Sequence, residues 1–282
     1  MNHNYVIYAL DISISSEALK PRNTAWVKLN VTGELEEVGY NIAELAQSIG
    51  MDLQRGIKVA LGFEAPMWIP LPLISEDQRF KMTGRFHNEL IRNSIRWFEG
   101  GAAPLVKTLP IGYMLFKELL NVRMEVSATC SIEDWSRADM FLFEGFATGE
   151  YKGKASKEFH LFKEMNGKLS SDDLVDAYLI ASAFHQRLSG SYAPLLRTIS
   201  WAHHLEVTSS RTDSEEVKVT AWNRDATGNV LTSVDTMTHG GFISVWDLIV
   251  ERVNSERTLK PSSTIRLLTS HEACPVYGFM FE

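Results

Sequence analysis

Apolar residues along this chain gather into short runs that repeatedly end on an acid. The first is Tyr5-Val6-Ile7-Tyr8-Ala9-Leu10-Asp11. Its six strand-forming residues lack polar alternation, so it reads as a central strand covered on both faces. Asp11 then stands at the rim of a sheet, unless it opens a turn with Ser13, Ser15 and Ser16. Residues 25–31 alternate like a half-buried strand, with Trp26 and Lys28 opposing Val27 and Leu29. Thr32-Gly33 makes a turn and residues 34–38 return, which predicts an antiparallel meander of three strands. Asn41 caps a helix with Ile42, Leu45, Ala46 and Ile49 on one face, stopped at Gly50. Residues 57–63 form a fourth strand that ends in Glu64. The order β-β-β-α-β predicts a mixed sheet with a crossover helix.

Pro66, Pro70 and Pro72 predict irregular backbone over residues 65–72. Ser75 and Gln78 then resemble a capping box, opening an amphipathic helix to about residue 98. At 100° per residue, Lys81, Arg85, Arg92 and Arg96 fall within roughly 60° of one another. This stripe is either a solvated outer face or a surface that contacts phosphates. A further helix is expected over residues 110–121. Residues 139–144 form a fifth strand, again closing on a carboxylate, Glu144.

Residues 170–184 form a helix that is apolar nearly all round from Leu174 onward. Asp172 and Asp173 suit its first turn, where acids meet free amides and the helix dipole. Asp176 lies in the second turn between Val175 and Ala177, where a bare buried carboxylate costs on the order of several kcal/mol. It needs a cation. Asp173, three residues earlier, shares its face. The strand-end acids Asp11, Glu64 and Glu144, with Asp173 and Asp176, supply the hard oxygen donors that Mg²⁺ or Mn²⁺ takes. Two such ions can activate a water and stabilise the leaving oxygen of a phosphodiester.

Composition narrows the classes. Apolar residues are 45% and charged residues 22% of 282, an ordinary soluble globular balance. No apolar run reaches the ~18–20 residues of a membrane span. The start shows no basic leader pattern, and Cys130 and Cys274 follow no metal-ligand spacing, so a reducing cytoplasm is the expectation. A net charge of −7 disfavours non-specific coating of nucleic acid while leaving room for local phosphate contacts. There is no GxSxG elbow and no GxGxxG loop. Gly153-Lys154-Ala155-Ser156 lacks the upstream glycine of a phosphate loop, and the adjacent His203 and His204 point to opposite faces of any strand.

The order of these features resembles the ribonuclease H-like superfamily over roughly residues 5–190. Asp11, Glu64 and the Asp173-Leu174-Val175-Asp176-Ala177 helix carry the likeness, the latter two being similar to RuvC-type resolvases. Gly62-Phe63-Glu64-Ala65-Pro66, the basic helix after it, Glu144 and Asp172-Asp173-Leu174-Val175-Asp176-Ala177 resemble more closely the bacterial family of predicted RNase H-like nucleases. The resemblance implies an α/β fold, with a mixed five-stranded sheet flanked by helices. It implies a nuclease using Mg²⁺ or Mn²⁺, with Asp11, Glu64, Asp173 and Asp176 catalytic, Glu144 in or beside the metal shell and nucleic acid as partner. Ile12-Ser13-Ile14-Ser15 stands where the superfamily commonly has a glycine-rich turn, and no acid on the first helix matches that of ribonuclease H. This favours DNA or structured nucleic acid over hybrids. The expected organisation is a domain over residues 1–190, with a helical insertion at about 67–137, and an accessory α/β extension over 191–282. The extension is expected to hold strands at 216–222, 230–234, 264–269 and 276–281 and a helix at 243–253, and offers a possible dimer surface. Two alternatives remain: an inactive scaffold whose acids are satisfied by Lys107 and Lys154, and an ATP-using relative of the sugar-kinase and actin branch.

Overall fold

Strand β1 (Tyr5–Ile12) sits inside a broad sheet, and its residues from Ile7 to Leu10 are wholly removed from solvent. The computed structural model describes residues 4–12, 24–70, 102–149, 164, 167–191, 193, 202–211, 217–224, 230–238, 242–256, 263–268 and 274–281. β1 pairs antiparallel with β2 (Thr24–Leu29), which pairs antiparallel with β3 (Leu35–Gly39). On its other edge β1 pairs parallel with β4 (Lys58–Phe63), and β4 pairs parallel with β7 (Met140–Gly149). The expected meander and crossover are therefore present.

The turn at Thr32-Gly33 forms as expected, with Gly33 at φ +80, a conformation that favours glycine. Asn41 caps helix α1 (Ile42–Gln54), its side chain accepting the amides of Ala43 and Glu44. The helix runs through Gly50 rather than stopping there. A Cβ on Gly50 would stand 2.4 Å from Val122 Cγ1, so this glycine permits close packing of two helices. The second is α2 (Ala102–Val122), which begins earlier than expected and carries Pro110 in its interior.

Among the described residues the sheet has eleven strands, not five. β13 (Val276–Phe281) pairs parallel with β7, and β8 (Ala202–Arg211), β9 (Val217–Arg224) and β10 (Val230–Thr238) continue antiparallel from it. β6 (Glu125–Thr129) and β12 (Thr264–Leu267) form a parallel pair that joins β7 through β6. C-terminal residues thus extend the main sheet by backbone hydrogen bonding. The architecture is α/β with a mixed sheet flanked by helices, parallel at its centre and antiparallel on both sides. Residues 65–72 are not wholly irregular, because β5 (Trp68–Pro70) pairs with β11 (Phe242–Ser244) ahead of helix α4 (Val245–Asn254).

Side-chain alternation divides the two faces. Tyr8 points to α1, where its hydroxyl donates to Asp52 Oδ2 at 2.6 Å. Phe63 points the same way, meeting Trp246 of α4 edge-on at 4.8 Å. The opposite face carries α3 (Asp172–Ser189), whose Phe184 stacks on Phe143 at 4.6 Å. α3 is buried on every side from Leu174 to Gln186. Ser171 caps it by accepting the Leu174 amide, and Gly190 ends it at φ 72. Gly145 lets α3 lie close, since a Cβ there would be 2.2 Å from Ile180 Cγ2.

β2 is buried on both faces, contrary to the half-buried pattern expected. Lys28 is the reason. Its ammonium meets Asp52 at 3.0 Å, Glu37 at 3.2 Å and Glu36 at 3.4 Å, so its stem is covered while its charge stays balanced.

Candidate metal centre

Alternation on β1 puts Ile7, Ala9 and Asp11 on the face of α3, because Tyr8 faces α1. The same parity on β4 puts Glu64 beside Asp11, since Phe63 faces α4. The Glu64 amide donates to Leu10 O at 2.8 Å, continuing the parallel pairing one step beyond β4. Two carboxylates therefore stand side by side at the carboxyl ends of adjacent parallel strands, where α/β sheets bind ligands. Asp176 approaches from the second turn of α3. One oxygen from each of Asp11, Glu64 and Asp176 lies within 4.8 Å of the other two. Asp11 and Asp176 are buried, and Glu64 is half-buried.

Glu64 Oε1 also accepts the Ala147 amide of β7 at 3.3 Å, which restrains its carboxylate. The start of α3, which carries Asp176, is fastened across to β3. Tyr40 donates to the capping Ser171 Oγ at 2.9 Å, and Lys168 Nζ donates to Glu36 O at 2.9 Å. Each ligand candidate is thus set by an element that is itself hydrogen-bonded to its neighbours.

Charge and size both suit a small hard cation. At 4.8 Å, two carboxylates repel by about 3 kcal/mol in an effective dielectric near 20, and this group contains three such pairs. An octahedral ion with oxygens at about 2.1 Å holds them roughly 3–4 Å apart, inside the 4.8 Å limit within which these three oxygens lie. The donors are all carboxylate oxygens, which hard divalent ions prefer over soft ones.

The remaining expected site residues lie elsewhere. Asp173 is half-exposed in the first turn of α3, and it is not among the carboxylates that converge. Glu144 does not join them either, and the pleat explains why. Phe143 and Gly145 face α3, so Glu144 faces the opposite side, where its Oε2 accepts the Met67 amide at 2.9 Å. It ends its run of apolar residues as Glu64 does, yet with inverted facing. Lys107 sits on α2, on the face opposite α3. Lys81, Arg85, Arg92, Arg96 and Lys154 lie outside the described residues. Sequence reasoning missed the Ala147 amide and the Met67 contact; neither has a side-chain signature, because both are backbone donors. No family model matches the chain, and no curated protein and no solved structure matches it.

Proposed function

We propose that this chain is a metal-dependent nuclease of the ribonuclease H-like type, in which Asp11, Glu64 and Asp176 hold Mg²⁺ or Mn²⁺. The convergence of these three carboxylates from two strand ends and a buried helix is the observation that carries the proposal. Five neighbouring strands in the order β3-β2-β1-β4-β7, with α3 across them, agree with the mixed five-stranded layer such a fold implies. A bound divalent ion supplies Lewis acidity toward a phosphoryl oxygen and makes a coordinated water more acidic. The chain contributes the ligand oxygens and their orientation. The amide of Ala147 fixes Glu64, and the cap at Ser171 fixes the turn that carries Asp176. Asp173, one turn nearer solvent, would act from outside the three ligands in this proposal. The basic stripe at Lys81, Arg85, Arg92 and Arg96 supplies phosphate contacts in this proposal.

The test is cleavage of labelled single-stranded, duplex and branched DNA and of RNA with Mg²⁺ or Mn²⁺. Cleavage that stops with chelator and is lost in both Asp11→Asn and Asp176→Asn is expected. Cleavage that is absent with either metal, or equal in the variants and the wild type, would overturn the proposal.

A further inference from the structure

Two strands dock end to end on one edge of β7. β6 pairs with Met140 and Phe141, and β13 takes over from Glu144 onward. The other edge of β7 is occupied by β4 throughout this stretch. A joint is therefore left beside Leu142 and Phe143, and the chain fills it with two cysteines. Cys130 follows the last residue of β6, and Cys274 lies two residues before β13. They are 144 residues apart in sequence (274 − 130), which conceals their contact.

Both thiols are free and buried, with Cys130 7% and Cys274 3% exposed. Cys274 Sγ accepts from Trp246 Nε1 at 3.3 Å and lies 3.5 Å from Leu142 O. Burial, followed by its hydrogen bond to Cys130, pushes the Cys274 thiol well above its ordinary pKa. The joint is wired toward the metal centre. Pro275 O accepts the Glu144 amide at 2.9 Å, and the Glu144 carboxylate holds Met67, three residues after Glu64.

We infer that Cys130 and Cys274 form a dithiol that peroxide closes into a disulfide, locking β13 and the strands beyond it to β6 across the edge of β7. Cys130 is the more exposed and reacts first. Its thiol gives its proton to water, and the thiolate attacks one oxygen of hydrogen peroxide. The O–O bond breaks, hydroxide leaves and takes up that proton, and Cys130 becomes a sulfenic acid. Cys274 Sγ then attacks the Cys130 sulfur, its proton passing to the departing hydroxyl. The balance is two thiols and one peroxide giving one disulfide and two waters. Cys274, held by Trp246 in the same joint as Cys130, serves as the resolving partner rather than the first target.

The experiment treats the reduced full chain with graded hydrogen peroxide under native conditions. Remaining thiols are then alkylated in denaturant and the tryptic peptides mapped without reductant. Both thiols should disappear together in monomeric protein. A linked pair of segments 124–137 and 267–282 should appear, and dithiothreitol should restore both thiols. Cys274→Ser should stop at a dimedone-trappable sulfenic acid on Cys130. The wild-type map stands independently of whether that variant folds. Thiols that resist peroxide until the protein unfolds would overturn the inference. So would oxidation to sulfinic acid or cross-linking between molecules without the linked pair.

Discussion

Replacing Lys28 by Met should destabilise the protein by about 3 kcal/mol, the lower end of what breaking a buried ion pair costs. Lys28 and Asp52 are 7% and 2% exposed at their side chains and 3.0 Å apart. Removing the ammonium leaves Asp52 buried with the Tyr8 hydroxyl and, at 3.8 Å, the mostly exposed Arg55. These two partners keep the loss from reaching ~5 kcal/mol. Glu36 and Glu37 are nearly half-exposed and add little of their own. The double variant Lys28→Met with Asp52→Leu should recover most of the loss, because neither charge then remains buried, while Tyr8 keeps Ser48 Oγ at 2.8 Å. Denaturant unfolding of the four proteins gives the coupling directly. At roughly 2–4 °C per kcal/mol, Tm of Lys28→Met should fall by roughly 6–12 °C. The pH dependence has a defined sign. Burial lowers the Lys28 pKa, but the hydrogen bond and charge of Asp52, then those of Glu37, outweigh it and leave it raised. Burial, then the bond to Asp52, raises that of Tyr8. Both groups hold protons more tightly folded than unfolded, so their contribution is complete below pH 10 and lost as pH rises above it. The alkaline decline in Lys28→Met should be shallower by the share of one proton. A cost below ~1 kcal/mol, or a double variant as unstable as the sum of the singles, would refute the buried-pair account. Mn²⁺ affinity well below Tm should not change, since Tyr8 and Asp11 point to opposite faces of β1.

Gly145→Ala should destabilise by about 1–3 kcal/mol, as overpacking does, because its Cβ would meet Ile180 Cγ2 at 2.2 Å. Ile180 is one turn from Asp176, so a metal titration of this variant should also show weaker binding; unchanged stability would mean α3 has room to move. Glu144→Gln should keep Mn²⁺ affinity within about tenfold of wild type, because the side chain faces away from the carboxylate group. Calorimetric titration checks this, and a loss as large as that of Asp11→Asn would place Glu144 among the ligands.

Much of the central layer was legible because its strands are buried on both faces and read as unbroken apolar runs. Asp11, Glu64 and Asp176 stood out for a related reason, since each acid ends or interrupts such a run, and the fold brings their carboxylates within 4.8 Å of one another. Glu144 satisfied the same pattern and differs in facing, which depends on register and therefore on pairing partners far away in sequence. The burial of Lys28 was not legible because its partner Asp52 sits on a different element. β6 and β8 escaped notice because Glu125-Val126-Ser127 and His203-His204-Leu205-Glu206 carry weak patterns, and their strand state is imposed by β7 and β13. The joining of the C-terminal strands to the main sheet was hidden for the same reason: edge pairing leaves no mark in local composition.

The most direct measurement is calorimetric titration of Mn²⁺ into wild type, Asp11→Asn and Asp176→Asn. If the three carboxylates form one site, wild type binds the ion, and each substitution weakens binding by more than about tenfold, or 1.4 kcal/mol. Two residues 165 positions apart (176 − 11) would then answer as one centre. Absence of binding to wild type at millimolar Mn²⁺, or binding that survives both substitutions, would contradict the account.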